Sequence, residues 1–220
     1  MAKRKIPFEV DRYYHIFNRG VDKRKIFLDK GDLYYFFDTI IISNNTENIK
    51  DSHKSLGRKK IKEKIKEYDS EPLVEIVSYC LLPNHFHFVL KEIKEGGISL
   101  FMKKLTGSYS KYFNSKYNRS GTLFQGRFKA SILAYENSLE RTTAYVNLNY
   151  RHHFLDPKKD LVKSSIFEFL GEEKGEKVCS EKEINFILKD AGGVENFKKM
   201  IKKYSDEFIK EHSKEELENE

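Results

Sequence analysis

Two runs of β-branched, aromatic and aliphatic residues, Leu73 to Tyr79 (LVEIVSY) and His85 to Lys91 (HFHFVLK), are separated by Cys80-Leu81-Leu82-Pro83-Asn84. Such runs suit pleated, packed strands, and Pro-Asn supplies turn chemistry, so the spacing predicts an antiparallel hairpin. A hairpin at this point in the chain restricts the fold to one built on an antiparallel sheet, with the flanking segments as its cover.

Those segments read accordingly. Tyr13 to Phe17 is a strand-like run closed by Asn18-Arg19-Gly20. Asp29 to Ser43 places Leu33, Phe36, Phe37, Ile40 and Ile41 at helical spacing, with Asp29 or Asp32 as the cap. Ser99 to Tyr117 repeats the helical pattern through Leu100, Met102, Leu105, Tyr109, Tyr112 and Phe113. Phe128 to Ala134 reads as another strand. Asn137-Ser138-Leu139-Glu140 matches an N-cap with Glu three residues on, opening a helix that runs to about Leu148 or beyond. The order strand, helix, hairpin, helix, strand, helix predicts an α+β fold with helices packed on an antiparallel sheet.

Two stretches stand apart. Residues 44 to 72 are almost wholly polar and read as a solvated helix or mobile insertion, with the Lys-rich run 58 to 64 as a solvated face. Past Pro157 the chain becomes Lys/Glu-rich, with helical apolar positions at Ile184, Phe186, Ile187, Leu188, Phe197 and Ile201 and a break at Ala191-Gly192-Gly193. This divides the chain into a domain over 1–165 and a charged helical C-terminal extension over 166–220, which caps the core, mediates dimers or stays mobile.

Charge follows the same division. The net +7 resolves into +11 over residues 1–170 and −4 over 171–220. A basic body rich in Tyr and Phe suits a polyanion partner whose bases can be stacked. Two cysteines, Cys80 and Cys179, without CxxC spacing exclude a disulfide framework and imply a reduced, intracellular setting. The N-terminus lacks a signal-peptide core and no 18-residue apolar run occurs, so secretion and membrane spanning are not expected.

The chemistry centres on His85-Phe86-His87. In a strand, residues i and i+2 share a face, so the imidazoles stand side by side while Phe86 enters the opposite, packed face. Two neutral imidazoles make half of a divalent-metal site, although two histidines on one strand face also occur without a metal. Tyr145 and Asn149, four apart, share one helix face. If that face lies over the hairpin, Asn149 offers an amide oxygen as a third ligand and Tyr145 a phenol beside the metal. Two imidazoles, one amide oxygen and open positions suit Mg²⁺ or Mn²⁺ bound to a phosphate, whereas structural zinc would normally add thiolates. Such a metal would polarise a phosphodiester for in-line attack by tyrosine, giving a 5′-phosphotyrosine and a free 3′-hydroxyl. The residues alone leave the nucleophile open between Tyr145, Tyr109 and Tyr112, although the latter two read more simply as core or stacking residues.

Tyr79 to Leu90, YCLLPNHFHFVL, resembles the His-hydrophobic-His (HUH) segment of the single-tyrosine, insertion-sequence-200-like transposases, especially the REP-associated tyrosine transposases. Tyr14 to Gly20 (YHIFNRG), Gly121 to Lys129 (GTLFQGRFK) and Ala144 to Asn149 (AYVNLN) are similar to three further blocks in the same order. The resemblance spans roughly residues 10 to 155. It implies a ferredoxin-like fold, Mg²⁺ or Mn²⁺, and cleavage and rejoining of single-stranded DNA next to a hairpin, by a monomer or a homodimer. It places the metal ligands at His85, His87 and Asn149 and the nucleophile at Tyr145. Many relatives follow the equivalent of Asn149 with proline, whereas this chain has Tyr150-Arg151-His152-His153 and its helix is free to continue.

Other residues have plainer readings beside functional ones. Arg19, Lys103, Lys104, Arg127 and Lys129 are candidate phosphate contacts or a solvated basic face. His152 and His153 read as phosphate contacts or exposed residues, and His15 as a satisfied core or sheet histidine. Cys80, Phe17, Phe86, Phe88 and Phe124 read as core. Rival functions are a non-catalytic, domesticated hairpin DNA or RNA binder, and a replication-initiator or relaxase-type nickase, which normally carries further domains for which 220 residues leave no room.

Overall fold

A computed structural model of the chain describes residues 7–46, 71–135 and 138–211. Most of the polar segment 44–72 and the cap at Asn137 lie outside the described residues. The elements run β1 (Tyr13–Arg19), α1 (Lys30–Ser43), β2 (Val74–Leu81), β3 (His85–Glu92), α2 (Gly97–Lys116), β4 (Lys129–Ile132), α3 (Ser138–Asn147), α4 (Asn149–His152), β5 (Lys163–Ser164), α5 (Ile166–Phe169), α6 (Glu181–Asp190) and α7 (Val194–Glu211).

The five strands form one antiparallel sheet in the order β4-β1-β3-β2-β5. Its first four strands, with α1 and α2 in the connections, have the ferredoxin-like order expected. The predicted hairpin is β2–β3, its turn closed by Leu82 N–H donating to the His85 carbonyl at 2.9 Å. Asp29 caps α1 in a capping box with Asp32, the Asp32 N–H donating to Asp29 Oδ1 at 2.9 Å.

Strand alternation splits the sheet between two cores. Tyr14 and Ile16 of β1, with Phe86, Phe88 and Leu90 of β3, pack under α1 and α2 against Phe36, Phe101 and Leu105. On the other face, Val77, Cys80 and Val89 pack with Ala144 and Val146 of α3 and with Ile184, Ile187, Phe197 and Ile201 of the C-terminal helices. Of the outcomes open for the tail, the described part covers the core: α6 and α7 bury an apolar stripe against the second face.

The turn after β1 braces the hairpin. Gly20 N–H donates to the Asn84 carbonyl at 2.8 Å, and Ile26 and Phe27 N–H both donate to the Pro83 carbonyl, at 2.7 and 3.0 Å. A Cβ on Gly20 would lie 2.1 Å from the Arg24 carbonyl oxygen, which is backbone and cannot swing aside. Gly20→Ala is therefore expected to destabilise the protein by about 1–3 kcal/mol, the usual cost of overpacking, read as a lowered urea midpoint at unchanged m-value. An unchanged midpoint would show that the turn relaxes freely.

Candidate active site

The imidazoles of His85 and His87 project from β3 onto the second sheet face, beneath α3 and α4. Their ring centroids are 5.1 Å apart with the rings nearly perpendicular, while Phe86 enters the first core as its position in the strand requires. Both are almost fully buried, at 6% and 5% exposure. Burial first, and the neighbouring His153 second, push the His85 imidazole down to about 3; burial and the adjacent imidazoles hold His87 well below its ordinary value. Both rings are therefore neutral near pH 7, the state that carries a coordinating lone pair.

The helix over them is interrupted. α3 ends at Asn147, Leu148 leaves helical geometry at φ −107° and ψ 13°, and α4 restarts at Asn149. Asn147 is drawn to the β5 side, its Oδ1 accepting from Ser165 Oγ at 2.6 Å. Asn149, fully buried, faces the histidines, with its Oδ1 3.3 Å from His85 Nε2. The Tyr145 ring sits 5.6 Å from His87 and 5.7 Å from His15, edge-on to both. His85, His87, Asn149 and Tyr145 thus come together within one chain. His85, His87 and Tyr145 share a cavity of about 480 Å³ with His15, Phe17, Asn18, Arg19, Gln125, Lys129 and Ser131.

The hydrogen bonds around His85 bear on what this group can hold. His85 Nδ1 lies 2.7 Å from Asn84 Oδ1, whose amide nitrogen is oriented toward the Lys23 carbonyl at 3.5 Å. With the proton on Nε2, the contact to Asn149 is an ordinary hydrogen bond to the amide oxygen; with its Nδ1 proton given to Asn84, His85 would direct the Nε2 lone pair at Asn149 Oδ1, 3.3 Å away. Two facing lone pairs repel in a buried site unless a proton or cation lies between them. Adjacent ligands of an octahedral Mg²⁺ ion, bound at 2.0–2.1 Å, are about 3.0 Å apart, close to this spacing. The amide Nδ2 of Asn149 is buried without a hydrogen-bond partner among the described residues, so the side chain is not held by competing bonds. Among the described residues no group of three His, Cys, Asp or Glu side chains is arranged for a metal ion. The set fits a hard divalent ion only through the Asn149 amide oxygen.

The basic candidates separate. Arg19 and Lys129 line the histidine cavity; Arg19 Nε donates to Gln125 Oε1 at 2.6 Å, and Lys129 Nζ sits 5.7 Å over the Phe17 ring. Lys103 and Arg127 line a different groove, of about 1080 Å³, beside α2 and the 121–128 loop. Lys104 Nζ donates to the Asn45 carbonyl at 2.7 Å.

Three expectations change, and a fourth residue gains a role. Phe17 is not core: it lies on the histidine face, stacked on His87 with centroids 5.6 Å apart and planes 13° apart. His15 is a sheet histidine as expected, but the partner that satisfies it is His87, so it belongs to the cluster. His152 is neither exposed nor free for phosphate; it is fully buried, with Nε2 3.2 Å from Ser205 Oγ of α7 and its ring against Tyr145 and Phe208. His153 packs on His85 at 4.7 Å. Tyr109 and Tyr112 are far from this chemistry in the first core, Tyr109 donating its hydroxyl to the Ile26 carbonyl and Tyr112 stacked on Tyr35 at 3.6 Å. Gln125 stood within the Gly121 to Lys129 block without a role of its own, and nothing in the sequence singled out Phe208, which lies 5.0 Å from Tyr145 and reaches the site through the docking of α7.

Comparison with known proteins gives the family. A family described as "Transposase IS200 like" matches residues 11–149, a span that contains His85, His87, Tyr145 and Asn149. No curated protein matches. Among solved structures, a REP-associated tyrosine transposase bound to a REP hairpin aligns at 13% identity and a TM-score of 0.49, over 82% of this chain and 94% of that one. No described helix is long and apolar enough to cross a membrane. With the family match covering well over half its length, the chain belongs to the IS200-like transposase family.

Proposed function

We propose that the protein is a metal-dependent DNA strand transferase of the REP-associated type, which cleaves and rejoins single-stranded DNA beside a hairpin. Family membership supports DNA processing as the general activity. The observation that supports the specific reading is the convergence of His85, His87, Asn149 and Tyr145, with Asn149 Oδ1 3.3 Å from His85 Nε2 and the Tyr145 ring 5.6 Å from His87.

In this reading His85, His87 and Asn149 hold Mg²⁺ or Mn²⁺. When bound, the ion supplies a positive charge that polarises the scissile phosphodiester and stabilises the leaving 3′-oxygen. Tyr145 attacks phosphorus in line: its Oη–P bond forms, the P–O3′ bond breaks, the phenolic proton is lost to solvent and the departing oxygen gains one as a 3′-hydroxyl. The 5′-phosphotyrosine conserves the phosphodiester energy, so attack by a 3′-hydroxyl reverses the step and rejoins strands without ATP. Arg19 and Lys129, on the rim of the cavity, hold the backbone phosphates of the strand. Lys103 and Arg127, in the α2 groove, contact DNA away from the cut. Lys104 adds to the basic face from the Asn45 end of α2.

The test is incubation of the full chain with single-stranded hairpin DNA and Mn²⁺, with and without EDTA. A covalent protein–DNA adduct and a free 3′-hydroxyl, both lost with EDTA, are the expected result. Salt-sensitive binding that ignores EDTA and gives no adduct would overturn it in favour of a non-catalytic hairpin binder.

A further inference from the structure

His15 has no role in the chemistry set out above, yet its ring is tied directly to one of the site's histidines. It lies on β1 diagonally across from His87, since Phe17 pairs with His87 and His15 with Val89. His15 Nε2 is 2.9 Å from His87 Nδ1, and the two rings are 13° from parallel with centroids 5.1 Å apart. That is the geometry of an in-plane N–H···N hydrogen bond between neutral imidazoles, in which only one of the two nitrogens carries the proton. Phe17 stacks on both rings, at 5.0 Å from His15 and 5.6 Å from His87, and holds their planes.

We propose that His15 is a positioning residue for the metal site: its Nε2 accepts the Nδ1–H of His87, which leaves the Nε2 lone pair of His87 available for coordination. The proposal rests on the reading of His87 as a metal ligand. The reverse arrangement, with His15 donating, would place the His87 proton on Nε2 and block that nitrogen. A parallel contact on the neighbouring ligand supports the chosen direction: His85 is tied at the same ring position, its Nδ1 donating to Asn84 Oδ1 at 2.7 Å. Each ligand histidine thus has its own acceptor at Nδ1, one from the hairpin turn and one from β1. Such partners orient a ligating ring and raise its basicity, and their loss typically weakens metal binding by about 10–100-fold.

The experiment uses the metal-free full chain with ¹⁵N-labelled histidine, followed by titration with Mn²⁺ alone. Long-range ¹H–¹⁵N correlation is expected to show the His87 proton on Nδ1; a proton on Nε2 overturns the proposal whatever the metal does. Mn²⁺ affinity, read by electron paramagnetic resonance, is expected to fall by about 10–100-fold in His15→Leu. It is expected to return near wild type in His15→Gln, whose amide oxygen restores an acceptor. Equal weakening in both variants would mark His15 as merely structural, and an unchanged His15→Leu would also overturn the proposal. A wild-type chain that binds no Mn²⁺ overturns the metal reading itself, an outcome distinguishable from a wrong tautomer.

Discussion

Tyr145→Phe is expected to lower formation of the covalent protein–DNA adduct by more than about 1,000-fold, on the scale seen when the nucleophile of a covalent mechanism is deleted. The variant keeps the ring, and with it the edge contacts to His15, His87 and Phe208. Only the hydroxyl is lost, so stability is expected to change by no more than about 1–2 kcal/mol, and binding of hairpin DNA is expected to persist. The measurement is denaturing electrophoresis of the adduct beside a thermal melt and a binding isotherm for the same preparation. Adduct at wild-type yield would remove Tyr145 from the nucleophile role. Neither Tyr109 nor Tyr112 offers an easy replacement, since both are occupied in the first core by the Ile26 carbonyl and the Tyr35 ring.

His85→Ala is expected to weaken Mn²⁺ binding and adduct formation together, by at least about 100-fold, because loss of an outer partner alone costs about 10–100-fold. The substitution removes the Nε2 that faces Asn149 and the Nδ1–H given to Asn84. A second readout separates binding from chemistry. A ligand that binds only the folded state stabilises it by about 2.7 kcal/mol at 100 times its Kd, so saturating Mn²⁺ should raise the wild-type melting temperature and leave that of His85→Ala unmoved. An equal rise in both proteins would mean that the ion binds elsewhere.

Much of this site was readable before any coordinates. The alternation of β3 predicted that His85 and His87 share one face with Phe86 on the other, because a strand's period is set by backbone geometry alone. The four-residue interval between Tyr145 and Asn149 predicted a shared helix face, and both residues do meet the histidines. The route differs, however: the helix breaks at Leu148 rather than continuing, and α4 restarts with Asn149 turned to His85. The break coincides with tertiary bonds to Asn147, the last residue of α3: its Oδ1 accepts from Ser165 Oγ and its carbonyl from Ser164 Oγ, each at 2.6 Å.

The misread residues share one cause. Strand alternation separates His15 and Phe17 from Tyr14 and Ile16, but both faces of this sheet are packed, so hydrophobicity could not say which set meets the histidines. His152 was misplaced because its burial comes from α7, whose Ser205 and Phe208 are more than fifty residues away along the chain. Lys103, Lys104, Arg19, Arg127 and Lys129 looked equivalent as cations, yet only Arg19 and Lys129 reach the histidine cavity.

From its residues alone, then, the chain specifies the elements, an α+β fold with helices on an antiparallel sheet, and the chemical identities of a two-imidazole, one-amide, one-phenol set. These follow from periodicity, turn chemistry and side-chain type, all of them local; the ferredoxin-like order came only from the resemblance of its blocks to a family. The pairing of His15 with His87, the facing of His85 Nε2 on Asn149 Oδ1 and the burial of His152 under α7 arise only in three dimensions. They depend on strand register and helix docking, which are set by the burial of two whole cores, and no short stretch of sequence carries that information.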